Sequence, residues 1–124
     1  MKLVQNQTGK DKKMDREYLS NMANTVLNQM GGVNRLVCMV GASNFVFGKT
    51  DYDGNKEPMV YFRFKMNRKM NVCKVIYNSG MDLYVMQFLK CGKNGCKIVN
   101  EFENVYCDQL VELFEETTGL YLRM

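Results

Sequence analysis

The sequence has no histidine, no tryptophan, a single proline (Pro58) and two isoleucines in 124 residues. The missing histidine excludes the most. It removes the side chain that most often acts as a general base near neutral pH and most often ligates a metal. No stretch approaches the roughly 18–20 consecutive apolar residues a membrane span needs. The opening Met1-Lys2-Leu3-Val4-Gln5-Asn6-Gln7 lacks the apolar core of a secretory leader. These absences predict a cytoplasmic protein whose five cysteines are reduced thiols. Gly31-Gly32 and Gly92-Lys93-Asn94-Gly95 match neither the phosphate-binding loop nor the dinucleotide fingerprint.

What is present is sufficient for one globular domain. At 46 % apolar and 24 % charged, the chain is too apolar for a disordered one. A chain of this length buries about two-thirds of its unfolded surface. Eleven methionines supply adaptable core filler or an adaptable binding surface. The net charge of +4 is unevenly placed. Residues 1–55 carry seven basic and five acidic side chains, a net +2. Residues 56–97 carry nine basic side chains against Glu57 and Asp82, a net +7. Residues 98–124 carry Arg123 against six acids, a net −5. Either the basic middle meets phosphate or an acidic protein surface, or the two segments neutralise each other in the fold.

Residues 1–13 are polar and read as a flexible arm, leaving 14–124 as the domain. Asp15 reads as an N-cap, with Met14 placed to pack on Leu19 as a hydrophobic staple. Leu19, Met22, Ala23, Val26, Leu27 and Met30 form an apolar stripe at helical period, stopped by Gly31-Gly32. The continuous run Leu36-Val37-Cys38-Met39-Val40 predicts a buried strand, and Gly41-Ala42-Ser43-Asn44 a turn or bulge before Phe45-Val46-Phe47 resumes it. Lys49 to Lys56 predicts a polar loop. From Met59 to Met66 the pattern alternates. Val60, Phe62, Phe64 and Met66 fall on one face, and Tyr61, Arg63, Lys65 and Asn67 on the other. Further strands are predicted over 72–77, 83–90 and 97–102, with Cys91 to Cys96 as a tight loop. Asp108 then caps a second helix, with Leu110, Leu113, Phe114 and Thr117 inward and Glu112, Glu115 and Glu116 outward. Gly119 closes it. The predicted class is α+β: a single curved antiparallel meander of about five to six strands, with an N-terminal and a C-terminal helix packed on one face.

Few residues converge on chemistry. Structural zinc needs two close cysteine pairs, or cysteine with histidine, and Cys91 with Cys96 is the one close pair. The remaining cysteines read as small buried hydrophobes, with Cys107 packed at the entry to the second helix. Asp51-Tyr52-Asp53-Gly54-Asn55 resembles half of a calcium loop, but Phe62 stands where the bidentate glutamate belongs, so an Asp/Gly turn is expected. Glu101 and Glu103 point the same way near a strand end without other groups converging on them. No metal, cofactor or enzymatic activity is therefore expected. The suggestive surface is basic and aromatic: Tyr61, Arg63 and Lys65 on one strand face, then Arg68, Lys69 and Lys74. Proteins that bind single strands pair cations along the backbone with rings that stack on bases. The competing reading is that these cations blunt an exposed sheet edge.

Several segments, taken together, match a known pattern. Ala23-Asn24-Thr25-Val26-Leu27-Asn28-Gln29-Met30-Gly31-Gly32 leads into Met39-Val40-Gly41-Ala42-Ser43-Asn44-Phe45. Asp82-Leu83-Tyr84-Val85-Met86-Gln87-Phe88, Val105-Tyr106-Cys107-Asp108-Gln109-Leu110 and Phe114-Glu115-Glu116-Thr117-Thr118-Gly119-Leu120-Tyr121 follow. Over residues 22–122 the chain resembles a widespread family of small proteins of unassigned function from phages, mobile elements and bacterial genomes. It departs from that family at Val40, where threonine is usual, and in a longer loop over 48–58. The resemblance implies a phage or mobile-element setting and brings no catalytic residues. The expectation is a non-enzymatic protein that binds nucleic acid or a host nucleoprotein complex, including as an inhibitor of host defence in the manner of anti-CRISPR proteins. Tyr61, Arg63, Lys65, Arg68, Lys69 and Lys74 would make the basic contact. Glu112, Glu115 and Glu116 offer an alternative acidic face that mimics phosphate. A plain single-stranded nucleic-acid binder is the second expectation, and a homodimer through an edge strand is compatible with either.

Overall fold

A computed structural model describes residues 15–65 and 67–122. The polar arm, the Met14 staple, Met66 and Arg123 lie outside the described residues. Helix α1 (Arg16–Gln29) forms where the apolar stripe places it. Asp15 is its N-cap and accepts the Tyr18 backbone N–H at 2.9 Å. Leu19, Ala23, Val26 and Leu27 are buried.

The run after Asn34 is a helix, not the expected strand: α2 spans Val33–Val40. A short continuous apolar run fits either period, and burial decides between them. In helical spacing Leu36 and Val40 fall four apart and become fully buried, while Val37 and Cys38 face outward. Gly41 ends the helix in the left-handed region at φ 67°. The Lys65 side chain crosses so close that a Cβ on Gly41 would lie 3.2 Å from its Cδ.

Five strands follow: β1 (Ser43–Tyr52), β2 (Asn55–Arg63), β3 (Val72–Asn78), β4 (Leu83–Gly92) and β5 (Gly95–Val105). They pair antiparallel in sequence order, so the sheet is the expected meander with β1 and β5 as its edges. The segment expected as a loop over 49–56 instead extends the first hairpin. Thr50 pairs with Glu57 and Tyr52 with Asn55, and Asp53-Gly54 alone makes the turn, at φ 53° and 81°. Two successive positive φ values define the tight turn that matches strand twist, and Asp-Gly is among its preferred pairs.

Helix α3 (Leu110–Thr118) follows a single 3-10 turn over Cys107–Gln109. Asp108 is not its cap; the Gln109 side chain accepts the Tyr106 N–H at 2.8 Å and starts the turn. Leu110 and Phe114 are buried as expected, and Thr118 rather than Thr117 completes the inward row. Glu115 is also turned inward, with Oε2 accepting the Leu122 N–H at 2.8 Å. The chain beyond Gly119 folds back over this carboxylate, a contact invisible to a helical stripe. Removing it leaves a buried N–H without this acceptor, so Glu115→Ala is expected to destabilise the fold by about 2 kcal/mol in denaturant unfolding. Glu112→Ala and Glu116→Ala, on exposed positions, should change little. Equal losses at all three positions would contradict the inward placement.

All three helices cover one face of the sheet. The buried cluster joins Ala23, Val26 and Leu27 of α1, Leu36 and Val40 of α2, and Phe114 of α3 to Val60, Phe62, Cys73, Met86 and Phe88 of the strands. No helix of the described residues lies on the opposite face, yet Ile76 and Val85 there are each only 1 % exposed. The sheet buries them by curling. A flat five-stranded sheet holds its edge strands about 19 Å apart. Here Tyr52 on β1 donates from its hydroxyl to Glu103 Oε2 on β5 at 2.8 Å. The two edges nearly meet at that end, and the helix-free face is the concave one.

Candidate functional site

Away from the Tyr52–Glu103 bridge the concave face opens into a trough of roughly 520 Å³, the size of a small-ligand site. Register fixes who lines it. Val46 pairs with Tyr61 and Tyr61 with Lys74, so these three form one row of the lining, and the row continues across the sheet as Gln87 and Glu101 outside it. Arg63, Val72 and Leu89 form the next row toward the open end. Asn44, Cys91 and Cys96 complete the lining. The walls are apolar at Val46, Val72 and Leu89, and two cations and one phenol are set among them.

Lys74 sits at mid-sheet. Its Nζ donates to Thr50 Oγ1 at 3.1 Å, reaching over β2 to β1. Burial pushes its ammonium below the usual lysine value. Among the described residues the one ion pair joins Lys56 and Asp51 at 2.8 Å, both largely exposed. Neither Lys74 nor Arg63 therefore has a carboxylate partner there, and the basic middle is not neutralised by direct pairing with the acidic end.

The six basic and aromatic residues named from the sequence divide into two groups. Tyr61, Arg63 and Lys74 share the trough and are half-buried. Lys65, Arg68 and Lys69 are exposed and lie beyond the end of β2. The Lys65 backbone N–H donates to the Val40 carbonyl at the end of α2 (2.9 Å), and its stem crosses Gly41. Arg68 and Lys69 occupy a bend that Asn67 ties to α3 by donating to the Thr118 carbonyl at 2.8 Å. The trough takes in three of the six and leaves Lys65, Arg68 and Lys69 outside its lining. The edge-blunting reading also fails for the trough residues, because β2 and β3 are interior strands.

The acidic pair Glu101 and Glu103 does point to one face, but each is engaged. Glu101 Oε1 accepts from Gln87 at 2.8 Å, and Glu103 accepts from Tyr52. Burial and the Glu103 bond push the Tyr52 phenol from 10 to about 12. Tyr77 reaches about 12 as well, chiefly through its hydrogen bond to Asp82. Both phenols are held neutral in the fold. Their stabilising contribution is complete below pH 10 and is lost as pH rises from 10 through about 12. Absorbance titration should record Tyr52 and Tyr77 ionising near pH 12, with Tyr84 also raised by burial, and Tyr52→Phe should remove one of these late-ionising phenols. An unchanged alkaline titration in that variant would contradict the bridge between the edges.

The cysteines differ most from expectation. Cys91 and Cys96 are bonded as a disulfide, not present as two thiols. The pairing of Gly92 with Gly95 sets them opposite each other across a two-residue turn. Of the other three, Cys73 alone is buried, and burial pushes its thiol far up. Cys38 and Cys107 are exposed rather than packed. Among the described residues no group of three or more cysteine or acidic side chains is placed to hold a metal ion. No helix among them is long and apolar enough to cross a membrane. No protein-family model, no curated protein and no solved structure matches this chain.

Proposed function

We propose that the protein is a non-enzymatic binding protein whose trough takes a segment of single-stranded nucleic acid, free or within a nucleoprotein complex. One observation carries the reading. The Lys74 ammonium is drawn into a partly desolvated concavity beside Arg63 and Tyr61, with no carboxylate among the described residues paired to it. A half-buried cation without a counter-charge is stabilised by an anion entering from outside. Arg63 and Lys74 then pair with phosphates, and the Tyr61 ring stacks on a base against the Val46 and Leu89 walls. A ring, two cations and apolar surface are recognition groups rather than an acid–base set.

The acidic face is the weaker interface. With Glu115 committed to Leu122, only Glu112 and Glu116 of the three carboxylates face outward. A phosphate mimic of two exposed acids offers little against a trough of the opposite sign. The resemblance to phage and mobile-element proteins supports a host nucleoprotein machine as the target, with inhibition of a defence complex as the outcome.

Fluorescence anisotropy with a labelled oligothymidylate and its RNA counterpart tests this. Neutralising two phosphates gives a slope of log affinity against log salt of about −1.4 for single strands. Duplex of the same length should bind more weakly, since stacked bases cannot reach Tyr61. Absence of binding to either single strand at low salt would overturn the proposal.

A further inference from the structure

The Cys91–Cys96 disulfide forms part of the trough wall, which a purely structural staple has no need to do. Cys91 is half-buried and Cys96 exposed, so Cys96 is the side of the bond that an attacking thiolate from solvent would approach. The hairpin around the bond is weak by itself. Next to it, on the turn side, Gly92 pairs with Gly95, which offer no side-chain contact. On the other side Lys90 pairs directly with Lys97, both exposed. Like charges set directly opposite across strands repel. The body of the sheet, by contrast, holds Cys91 firmly. Its backbone N–H donates to Asn71 Oδ1 at 2.8 Å, and its carbonyl accepts from Asn71 Nδ2 at 2.9 Å. The β5 side of the tip has no such side-chain hydrogen bond among the described residues, so beyond its backbone ladder to β4 the disulfide is the tie that holds it closed.

We infer that Cys91–Cys96 is a reversible redox site whose closure sets the ligand-binding competence of the trough. The inference rests on the proposed single-strand binding. The chemistry needs a dithiol reductant. One of its thiolates attacks Cys96 Sγ, the S–S bond breaks, and Cys91 leaves as a thiolate that takes up a proton. The second thiolate of the reductant attacks the reductant's own sulfur in the mixed disulfide, releasing Cys96 and closing the oxidised reductant. Two electrons and two protons pass to the cysteine pair. The freed tip then opens at the Gly92–Gly95 and Lys90–Lys97 pairs, and the wall beside Leu89 and Arg63 loosens. Oxidation restores it.

The test uses the full chain carrying Cys38→Ser and Cys107→Ser, so that accessible thiols report on this pair. Dithiothreitol under native conditions should release two titratable thiols, where the oxidised protein shows none. Reduction should weaken oligothymidylate binding about tenfold, in the range usual for coupled sites. Cys91→Ser with Cys96→Ser should match the reduced protein and ignore reductant. Equal affinity in both redox states, or a bond that survives excess dithiothreitol, would overturn the inference. If neither form binds the oligonucleotide, the proposed function falls and the redox site is judged separately. Faster amide hydrogen exchange at Lys93 to Cys96 on reduction then upholds it, and unchanged exchange rejects it.

Discussion

Phe114→Ala is expected to lower the unfolding free energy by about 3–5 kcal/mol, the largest loss of any single substitution considered for this chain. The reason lies in how many elements meet at that ring. Phe114 is fully buried, and its ring centroid stands 5.2 Å from Phe64, 5.9 Å from Phe88 and 6.2 Å from Phe62. It therefore joins α3 to β2, to β4 and to the segment leaving β2. Each aromatic pair adds to the area term, and the space left by alanine is walled by three rings that a curled sheet cannot bring together. Phe114→Leu retains most of the volume and should lose much less. Urea unfolding of both variants measures the difference. A loss below about 1.5 kcal/mol for alanine would mean the core relaxes freely, contrary to a packed three-element junction.

The combination Arg63→Glu with Tyr61→Ala is expected to weaken single-strand binding at least about a hundredfold at low salt. Arg63→Glu removes one phosphate contact and places a repelling carboxylate at the open end. Tyr61→Ala removes the stacking platform. Both side chains are half-exposed on the helix-free face, so thermal stability should hardly change. Charge reversal at Lys65, Arg68 and Lys69 is the informative contrast. Those residues lie outside the trough, and their loss should lower affinity only a few-fold through the general field. If reversal there is as damaging as at Arg63, binding follows net charge and not the trough. A large stability loss in the Tyr61/Arg63 variant would instead assign those side chains to structure.

The sequence made the elements legible where one period dominated. Leu19 through Met30 could form only a helix, and the alternation through Val60, Phe62 and Phe64 correctly set Tyr61 and Arg63 on the opposite face. The run Leu36 to Val40 was illegible because five consecutive apolar residues satisfy both periods. The curl was illegible for a different reason. It comes with local irregularities at ordinary-looking residues: the β1–β2 register shifts beside Asn44 at φ 55°, and the β4–β5 register shifts beside Asn104 at φ 56°. Bulges of this kind bend a strand and increase its twist. The Tyr52–Glu103 contact joins residues 51 apart, beyond any local pattern. Glu115 misled because its partner arrives from the tail. The disulfide does have a local signal: Cys-Gly-x-x-Gly-Cys over 91–96 fits a two-residue hairpin that sets its cysteines face to face.

The candidate site was half legible for the same reasons. The shared facing of Tyr61, Arg63 and Lys74 was legible in the strand patterns, but a strand pattern cannot say whether its outer face is convex or concave. On a convex face those residues would be three scattered polar positions. The concavity alone brings them to one trough.

Amide chemical-shift mapping with an oligothymidylate tests directly whether the trough residues respond as one site. Titration at low salt should move the resonances of Val46, Tyr61, Arg63, Lys74 and Leu89 together, with one affinity. The outer face of α3 around Glu112 and Glu116 should stay still. Shifts confined to the Arg68–Lys69 bend or to α3, with the trough unmoved, would contradict the account.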